Sequence, residues 1–456
     1  MNDQVRLVGI ASRSHAAGCF GTDEEQTSHA AVATRADTLA AWVNETVSAP
    51  PVVDFNGDGA QDTAVADPRA TVGGNAEAGL VRVVYGRGGG TQQVDQDMAT
   101  VPGGAEPGDR FGESLATVDY NLDGYTDLVV GIPYEDLAGE KDAGMVTVLF
   151  GSREGVAKQG EAPFAHFEQG TGDGVIGGSA SEAGDLMGFA LAAGTNRAGE
   201  PYLYITLPGE DLGSVKDAGS SVFVRRGGNV GLNQGSGMPG AREAGDRVGF
   251  SADGDSNHIA VGLPYEDVGN SSGANAADAG AVYLLDVNDI GPDGRPRLVA
   301  DISQEAAGVS GGAETGDNFG AALSTVNTDP AAVSGPATMR LAVGVPGEAW
   351  ESVSGAGAVQ TFSLLGAPGD SDAWVAPGNV GLPGAPAAGE RFGRSLTAAP
   401  QGLYPGRPDG PSPFGQVHVL PWANVTAGQE NRPVTTFEPG SGGLPAAGSA
   451  FGFVIR

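Results

Sequence analysis

The sequence predicts an all-β fold, a β-propeller of six to seven four-stranded blades. Three observations predict it. A glycine-framed motif recurs at intervals of roughly 60 to 75 residues, and short apolar runs ending in proline follow it. The 456 residues include 77 glycines and 29 prolines, which is typical of a turn-rich fold, while 40% of the chain is hydrophobic, enough for a packed core. A β-sandwich or a β-solenoid array is the alternative.

The recurring motif reads glycine, acidic residue, variable residue, apolar residue, glycine. Clear copies occupy residues 108–112, 184–188, 245–249, 316–320 and 389–393, and a variant copy occupies residues 448–452. In each unit a second strand ends at Pro68, Pro133, Pro208, Pro264 or Pro346. Proline lacks an N–H donor and therefore suits a strand end. A third strand follows an Ala-Gly or Gly-Ala pair, and residues 164–167 and 434–437 fit a fourth. Four short strands in each repeated unit are typical of propeller blades.

The two ends of the repeat region predict how the ring closes. The unit that starts at Asp54 has no opening strand of its own, whereas the unit that starts at Gly448 has only an opening strand, residues 450–455. We expect this C-terminal strand to pair with the N-terminal blade, which leaves no long sheet edge exposed. The propeller then spans residues 51–456 and has six blades.

Residues 1–50 do not follow the repeat. We expect them to be an irregular or helical N-terminal extension, or a degraded seventh blade, with a strand over residues 4–10 and a helix over residues 28–47 that Ser28 caps. The single cysteine, Cys19, excludes an intramolecular disulfide.

An oxygen-rich loop of nine residues occurs twice, each time between two strand-like runs. Carboxylate or amide side chains stand at loop positions 1, 3, 5 and 9, glycine stands at position 6, and position 7 offers its carbonyl. The predicted ligands are Asp54, Asn56, Asp58, Ala60 and Asp62 in the first loop and Asp119, Asn121, Asp123, Tyr125 and Asp127 in the second. Calcium takes six to eight oxygen ligands. The sequence therefore predicts two Ca²⁺ sites, and metal-free hairpin turns are the alternative.

These loops are not helix-loop-helix calcium sites. Such a site needs a bidentate glutamate at position 12, where this chain has Val65 and Val130 within β-branched runs.

The Phe-Gly unit start, the Asp-rich loop and the Gly-x-Pro strand end together resemble FG-GAP repeats, which form the calcium-binding propeller of integrin α subunits and occur in secreted bacterial proteins. The resemblance implies calcium in loops on one face of the ring, blades without enzymatic activity, and an extracellular binding or adhesion module. It also implies that the eight side-chain ligands named above carry over to the metal sites.

The remaining units depart from the loop pattern. The third has Arg197, which would repel a cation, and the fourth, residues 253–258, lacks the glycine and the last aspartate. The fifth and sixth have no acidic cage. Two metal sites are expected, with a weak third at most.

The formal net charge of −32 limits the partners. Such a surface repels nucleic acid and anionic membranes. No apolar run is long enough to span a membrane, and no signal peptide is visible in this chain. We expect an extracellular protein whose partner is an unidentified protein or glycan.

Catalytic signals are few, and the prediction is that the chain is not an enzyme. The five histidines are scattered without metal-ligand spacing. Recurring Glu-Asp pairs, among them Glu135 with Asp136 and Glu210 with Asp211, are more simply structural than catalytic. The alternative is an extracellular hydrolase of polysaccharide or lipid that uses the propeller as its scaffold.

Overall fold

The computed structural model describes residues 9–14, 31–35, 53–158, 164–270, 273–330, 332, 334–412, 414–426, 429–446 and 451–452. The chain divides into two compact units: residues 1–51 with 329–333, and residues 52–328 with 334–456. In the smaller unit, β1 (Gly9–Ser14) pairs antiparallel with β2 (Ala31–Arg35).

The prediction of a helix over residues 28–47 is wrong where the structure describes it, because Ala31–Arg35 form the strand β2. Val32 and Thr34 in this stretch are β-branched, and pairing with β1 satisfies its backbone groups, so strand pairing outweighs the helix propensity of the alanines. The other residues of the predicted helix lie outside the described residues. The predicted strand over residues 4–10 is described only at its end, where β1 begins at Gly9.

Among its described residues, the larger unit forms six small, mainly antiparallel sheets that follow one another along the chain as the blades of a propeller, with one further two-stranded hairpin. Blade 1 contains β3 (Thr63–Asp67), β4 (Leu80–Tyr85) and β5 (Gly90–Val94). Blade 2 contains β6 (Ser114–Val118), β7 (Asp127–Ile132), β8 (Met145–Leu149) and β9 (Phe164–Phe167). A short helix, α1 (Gly174–Gly178), follows blade 2.

Blade 3 contains β10 (Leu191–Thr195), β11 (Pro201–Leu207), β12 (Ser220–Arg225), β13 (Gly228–Gln234) and the parallel strand β14 (Gly237–Met238). Blade 4 begins with β15 (Ser251–Gly254) and β16 (His258–Leu263), carries the hairpin β17 (Val268–Gly269) and β18 (Asn275–Ala276), and ends with β19 (Ala281–Ile290) and β20 (Pro296–Ile302).

Blade 5 contains β21 (Leu323–Asn327), β22 (Met339–Val345), β23 (Ala358–Ser363) and β24 (Ala373–Val375). Blade 6 contains β25 (Leu396–Ala399), β26 (Gly402–Arg407), β27 (Gln416–Val419) and β28 (Thr435–Phe437). The first strands of successive blades, β6, β10, β15, β21 and β25, contact one another in turn, as the inner strands of a propeller do. The all-β propeller prediction is confirmed, with six blades.

Large apolar side chains from the repeated motif fill the space between blades. Phe111, Phe319 and Phe392 are each 0% exposed. Phe111 packs with Val81 of blade 1 and Leu128 of blade 2 in one apolar cluster. Because apolar side chains of neighbouring blades share such clusters, each blade covers a face that its neighbour could not bury alone.

Glycine is required where each motif meets the preceding blade. The backbone N–H of Phe111 donates to the carbonyl of Ala78 at 2.8 Å, and Gly79 lies against the same backbone with φ +86°. A Cβ at Gly79 would lie 2.4 Å from the backbone N and O of Phe111. The Ala-Gly pair before the third strand therefore exists so that two backbones can approach closely.

The last motif docks in the same way as the others. The backbone N–H of Phe451 donates to the carbonyl of Phe414 at 2.5 Å, and the Ser395 hydroxyl donates to the carbonyl of Gly452. Blade 1 has three strands among the described residues. The C-terminal strand predicted to complete it falls largely outside the described residues.

Candidate functional site

The first acidic loop is folded by hydrogen bonds from its own backbone to its own carboxylate and amide oxygens. Asp54 accepts from the N–H of Asp58 at 3.1 Å and from the N–H of Gly59 at 2.7 Å. Asn56 Oδ1 accepts from the N–H of Asp58 at 3.0 Å, and Asp58 Oδ1 accepts from the N–H of Ala60 at 2.8 Å. Gly59 has φ +77°, a conformation that favours glycine at position 6.

The second loop repeats this network residue for residue. Asp119 accepts from the N–H of Asp123 at 3.1 Å and from the N–H of Gly124 at 3.0 Å. Asn121 Oδ1 accepts from the N–H of Asp123 at 2.9 Å, and Asp123 Oδ1 accepts from the N–H of Tyr125 at 2.9 Å. The glycine at position 6 again has positive φ, +92°. The two sequences therefore fold into the same turn.

The ninth residue of each loop is a buried aspartate that ties the loop to the sheet. Asp62 accepts from the backbone N–H groups of Phe55 and Gly86, both at 2.8 Å. Asp127 accepts from those of Tyr120 and Gly151, also at 2.8 Å. Burial raises the pKa of Asp127 to about 6, against the lowering effect of these backbone hydrogen bonds. A carboxylate that accepts several N–H groups holds the backbone around it in place.

The two loops also touch each other. The carbonyl of Asp54 accepts from the N–H of Thr126 at 3.0 Å, and the N–H of Asp54 donates to Thr126 Oγ1 at 3.0 Å. A Cβ at Gly57 would lie 2.6 Å from a ring carbon of Tyr125, so this ring packs directly on the first loop. Position 1 of one loop and position 8 of the other are thus held together across the interface of blades 1 and 2.

The donor set suits a hard cation, but the acidic side chains alone do not form a ready-made cage. In the ranges that the structure describes, no three Asp, Glu, His or Cys side chains gather as a metal site. An ion at these loops would also need the amide oxygens of Asn56 and Asn121 and the carbonyls of Ala60 and Tyr125. Each carboxylate oxygen that accepts one N–H keeps a second acceptor position for an ion. All of these donors are oxygens, the type that calcium prefers.

One basic side chain reaches the first loop. Arg87 donates to the carbonyl of Asp58 at 3.0 Å, not to a carboxylate.

The corresponding loops of blades 3 and 4 use their polar groups for other contacts. Arg197 donates from its guanidinium to Asn257 Oδ1 and so joins blade 3 to blade 4. Asp253 accepts from the N–H of Thr325 in blade 5 at 2.6 Å, whereas Asp255 accepts from the N–H of Asn257 in its own turn. The carboxylates of the fourth loop therefore accept hydrogen bonds from two different blades.

The Glu-Asp pairs have divided structural roles. The aspartates close their own loops: Asp136 accepts from the N–H of Asp142, and Asp211 accepts from the N–H of Asp217, both at 2.9 Å. The glutamates of these pairs, and Glu348 at the equivalent place in blade 5, each accept a hydrogen bond from a glutamine of the preceding blade. The four pairs, with their N–O distances, are Gln96–Glu135 (2.7 Å), Gln169–Glu210 (2.9 Å), Gln234–Glu266 (2.6 Å) and Gln304–Glu348 (2.8 Å).

Sequence reasoning missed these glutamines. Gln96, Gln169 and Gln304 follow the last strand of their blades, and Gln234 is the last residue of β13. The recurrence of Gln near the end of four units is the signal that could have revealed them. Their Oε1 atoms are buried without a hydrogen-bond partner among the described residues. Burial raises the pKa of all four glutamates to about 7.

Comparison with known proteins agrees with the fold. Residues 111–149 match the sequence model of the FG-GAP repeat. Integrin alpha-PS5 of Drosophila melanogaster is 33% identical over 164 residues, which are 34% of this chain and 15% of that protein. The predicted resemblance to FG-GAP repeats and to the integrin α propeller is confirmed.

A second group of relatives is named for an enzymatic activity. Human phosphatidylinositol-glycan-specific phospholipase D is 37% identical over 106 residues, which are 22% of this chain and 13% of that protein. The matching stretch thus spans a small fraction of the relative's length. Among solved structures, a polysaccharide lyase aligns with 79% of this chain and 76% of its own at 12% identity and a TM-score of 0.35, which does not establish a common fold.

These relatives correct one prediction. The expectation that the chain is not an enzyme is wrong, because proteins named as phospholipase D share part of its sequence. The inference from scattered histidines considered only catalytic groups that are recognisable by local spacing.

The structure also bears on membrane insertion. Among the described residues, no helix is long and apolar enough to cross a bilayer.

Proposed function

We propose that the chain is a calcium-braced β-propeller that acts as a binding module outside the cell. One observation carries the proposal: the loops that begin at Asp54 and Asp119 present the same oxygen donors and fold through the same hydrogen bonds. A metal-free hairpin does not require so many carboxylates. Mutual repulsion of their like charges would destabilise it. A divalent cation is the group that makes this composition favourable.

Each loop would supply four side-chain ligands and one carbonyl ligand to its ion. The first ion would be held by Asp54, Asn56, Asp58, Asp62 and the carbonyl of Ala60, and the second by Asp119, Asn121, Asp123, Asp127 and the carbonyl of Tyr125. Bound calcium supplies the positive charge that offsets carboxylate repulsion. The backbone N–H groups already bonded to these side chains orient them, so that little ordering remains for binding.

Thermal unfolding in calcium and in EDTA tests the proposal. We expect calcium to raise the melting midpoint, since an ion at a hundredfold excess over its dissociation constant stabilises a one-site protein by about 2.7 kcal/mol. Asp58→Asn and Asp123→Asn should each remove part of this gain. Glu154→Gln, which removes an exposed charge elsewhere in blade 2, should keep it. Equal midpoints in calcium and EDTA for the unmodified chain would refute calcium bracing.

The extracellular setting and the binding role are supported by the integrin α resemblance and by the surface charge. A net charge of −32 favours solubility and disfavours nucleic acid as a partner. We expect the partner to be a protein or a glycan.

A second candidate function is hydrolysis of a glycan-bearing lipid or a polysaccharide, and the phospholipase D relatives favour it. Incubation of the purified chain with a phosphatidylinositol-glycan substrate and with acidic polysaccharides, followed by product analysis, tests this function. Product release above the buffer blank would establish it, and the absence of products in both calcium and EDTA would argue against it.

A further inference from the structure

A cavity of about 1130 Å³ lies where the blades meet, and all six blades line it. The residue after each motif glycine contributes to the wall, as Glu113, Phe189, Phe250 and Arg394 show, and so does the residue after a strand-ending proline, as Arg69, Tyr134 and Tyr265 show. The acidic loops of blades 1 and 2 lie at the opposite end of the adjoining strands from the cavity arginines. In blade 2, β6 runs from the cavity to the loop at Asp119, about five residues or roughly 16 Å of strand away.

The side chains that line the cavity include more basic than acidic groups, unlike the chain as a whole. The chain has 24 basic and 56 acidic residues. Four arginines line the cavity, Arg69, Arg110, Arg391 and Arg394, against two acidic residues, Glu113 and Asp253. The Asp253 carboxylate already accepts hydrogen bonds from Thr325. Because the wall has more basic than acidic side chains, it favours an anion more than the acidic outer surface does.

Two of these arginines are held by ion pairs, and the other two have no ion-pair partner within the described part of the chain. Arg110 is paired with Glu77 at 3.0 Å and lies 4.6 Å from the ring centre of Tyr134. Arg394 is paired with Asp409 at 3.1 Å. The side chains of Arg69 and Arg391 are exposed, and neither forms an ion pair or side-chain hydrogen bond within the described part of the chain. A guanidinium presents a planar fork of donors that matches carboxylate, sulfate and phosphate groups.

Aromatic rings form another part of the wall. Phe189 and Phe250 have ring centres 5.1 Å apart, and Phe250 and Tyr265 form an edge-to-face pair at 5.4 Å. All three are half-buried and line the cavity. Such rings offer rigid apolar surface to the C–H faces of a ligand, and the Tyr265 hydroxyl adds a polar group. A wall of this kind favours a ligand with a ring over a simple inorganic anion.

We propose that this cavity binds a polyhydroxylated ring that carries an anionic group, with Arg69 and Arg391 on the anion and the Phe189, Phe250 and Tyr265 cluster against the ring. Two sources share this chemistry: an acidic saccharide with carboxylate or sulfate groups, and an inositol phosphate headgroup. The volume lies just above that of typical small-molecule sites, so it accommodates more than one ring. The inference rests on the proposed binding function and names its ligand class, but it does not depend on calcium.

Calorimetric titration of the full chain with three probes tests the proposal: a galacturonate oligosaccharide, a neutral galactose oligosaccharide of equal length, and an inositol phosphate. We expect at least one anionic probe to bind and the neutral probe to bind at least tenfold more weakly. Arg391→Ala and Arg69→Ala should each weaken binding by about tenfold, the size expected for one charge-assisted contact. Arg226→Ala, at an exposed arginine outside the cavity, should leave affinity unchanged.

The two anionic probes distinguish the two sources, and the melting midpoint of each variant distinguishes lost contact from lost fold. Equal affinity for neutral and acidic saccharides would overturn the proposal, as would unchanged affinity in the double variant of Arg69 and Arg391. Binding of an acidic peptide but of neither anionic probe would also overturn it. If no anionic probe binds while calcium still raises the melting midpoint, ligand binding is refuted and calcium bracing stands. If an anionic probe binds while calcium leaves the midpoint unchanged, calcium bracing is refuted and ligand binding stands.

Discussion

At the scale of single residues, Asp62 and Asp127 attach the acidic loops to neighbouring backbone segments. Each is essentially buried and accepts backbone N–H groups from two different segments, two in the case of Asp62 and three in the case of Asp127. The residue types at loop positions 1, 3, 5 and 9 were readable from the sequence because the motif is local. The attachment to Gly86 and Gly151 was not, because those glycines lie 24 residues away in the chain.

Substitution of these aspartates should destabilise the fold even without an ion. Asp62→Asn or Asp127→Asn exchanges one acceptor for an N–H₂ group, so one buried backbone N–H loses its partner. We expect a loss of about 1–3 kcal/mol in the free energy of unfolding. Urea titration in EDTA measures it, with Glu154→Gln as the charge-matched control. Midpoints equal to that of the control would contradict the structural role.

Gly79 provides a second prediction at this scale. Gly79→Ala combines an unfavourable φ of +86° with a Cβ 2.4 Å from the backbone of Phe111, so blades 1 and 2 would have to separate. Gly88→Ala is the matched control, because Gly88 has φ +79° and open space around its Cβ. We expect Gly88→Ala to cost about 1 kcal/mol from backbone strain and Gly79→Ala to cost more. Equal losses in urea titrations would mean that close approach of the blades is unimportant.

At the scale of elements, the sequence located most strands because their signals repeat. The strand ends at Pro133 and Pro208 and the fourth strand Phe164–Phe167 lie where the repeat predicts them. The sequence did not predict the strand Ala31–Arg35, where tertiary pairing outweighs local propensity. It also did not predict the arginine-lined cavity, since Arg69 and Arg391 belong to different blades and only ring closure brings them to one cavity.

The four Gln-Glu pairs between blades make the stability of the protein depend on pH. Burial raises the pKa of Glu135, Glu210, Glu266 and Glu348 to about 7, above the ordinary value of 4.5. The folded chain therefore binds more protons than the unfolded chain between about pH 4.5 and 7. Their contribution to stability is complete below pH 4.5 and is lost as the pH rises through about 7.

Melting in EDTA between pH 5 and 7.5 checks this sign. We expect the midpoint to fall as the pH rises. Glu266→Gln, which keeps a hydrogen-bonding partner for Gln234 and removes the titration, should flatten the slope, whereas Glu154→Gln should not. A midpoint that rises over this range would show that these glutamates do not hold protons in the fold.

At the scale of the whole molecule, two kinds of charge are separated along the blades. The acidic loops of blades 1 and 2 stand at one end of their strands, and the four arginines of the cavity stand at the other. An ion bound at the loops would join blades 1 and 2 through the Asp54–Thr126 contact and so stiffen the ring without occupying the cavity. Bracing and ligand binding are therefore separable functions of one propeller.

Calorimetric titration of the metal-free chain with calcium tests whether the two loops hold calcium. We expect two equivalents of bound calcium, and one equivalent after Asp58→Asn or Asp123→Asn, with a folded chain in every case by circular dichroism. An unmodified, folded chain that takes up no calcium at millimolar concentration would contradict it.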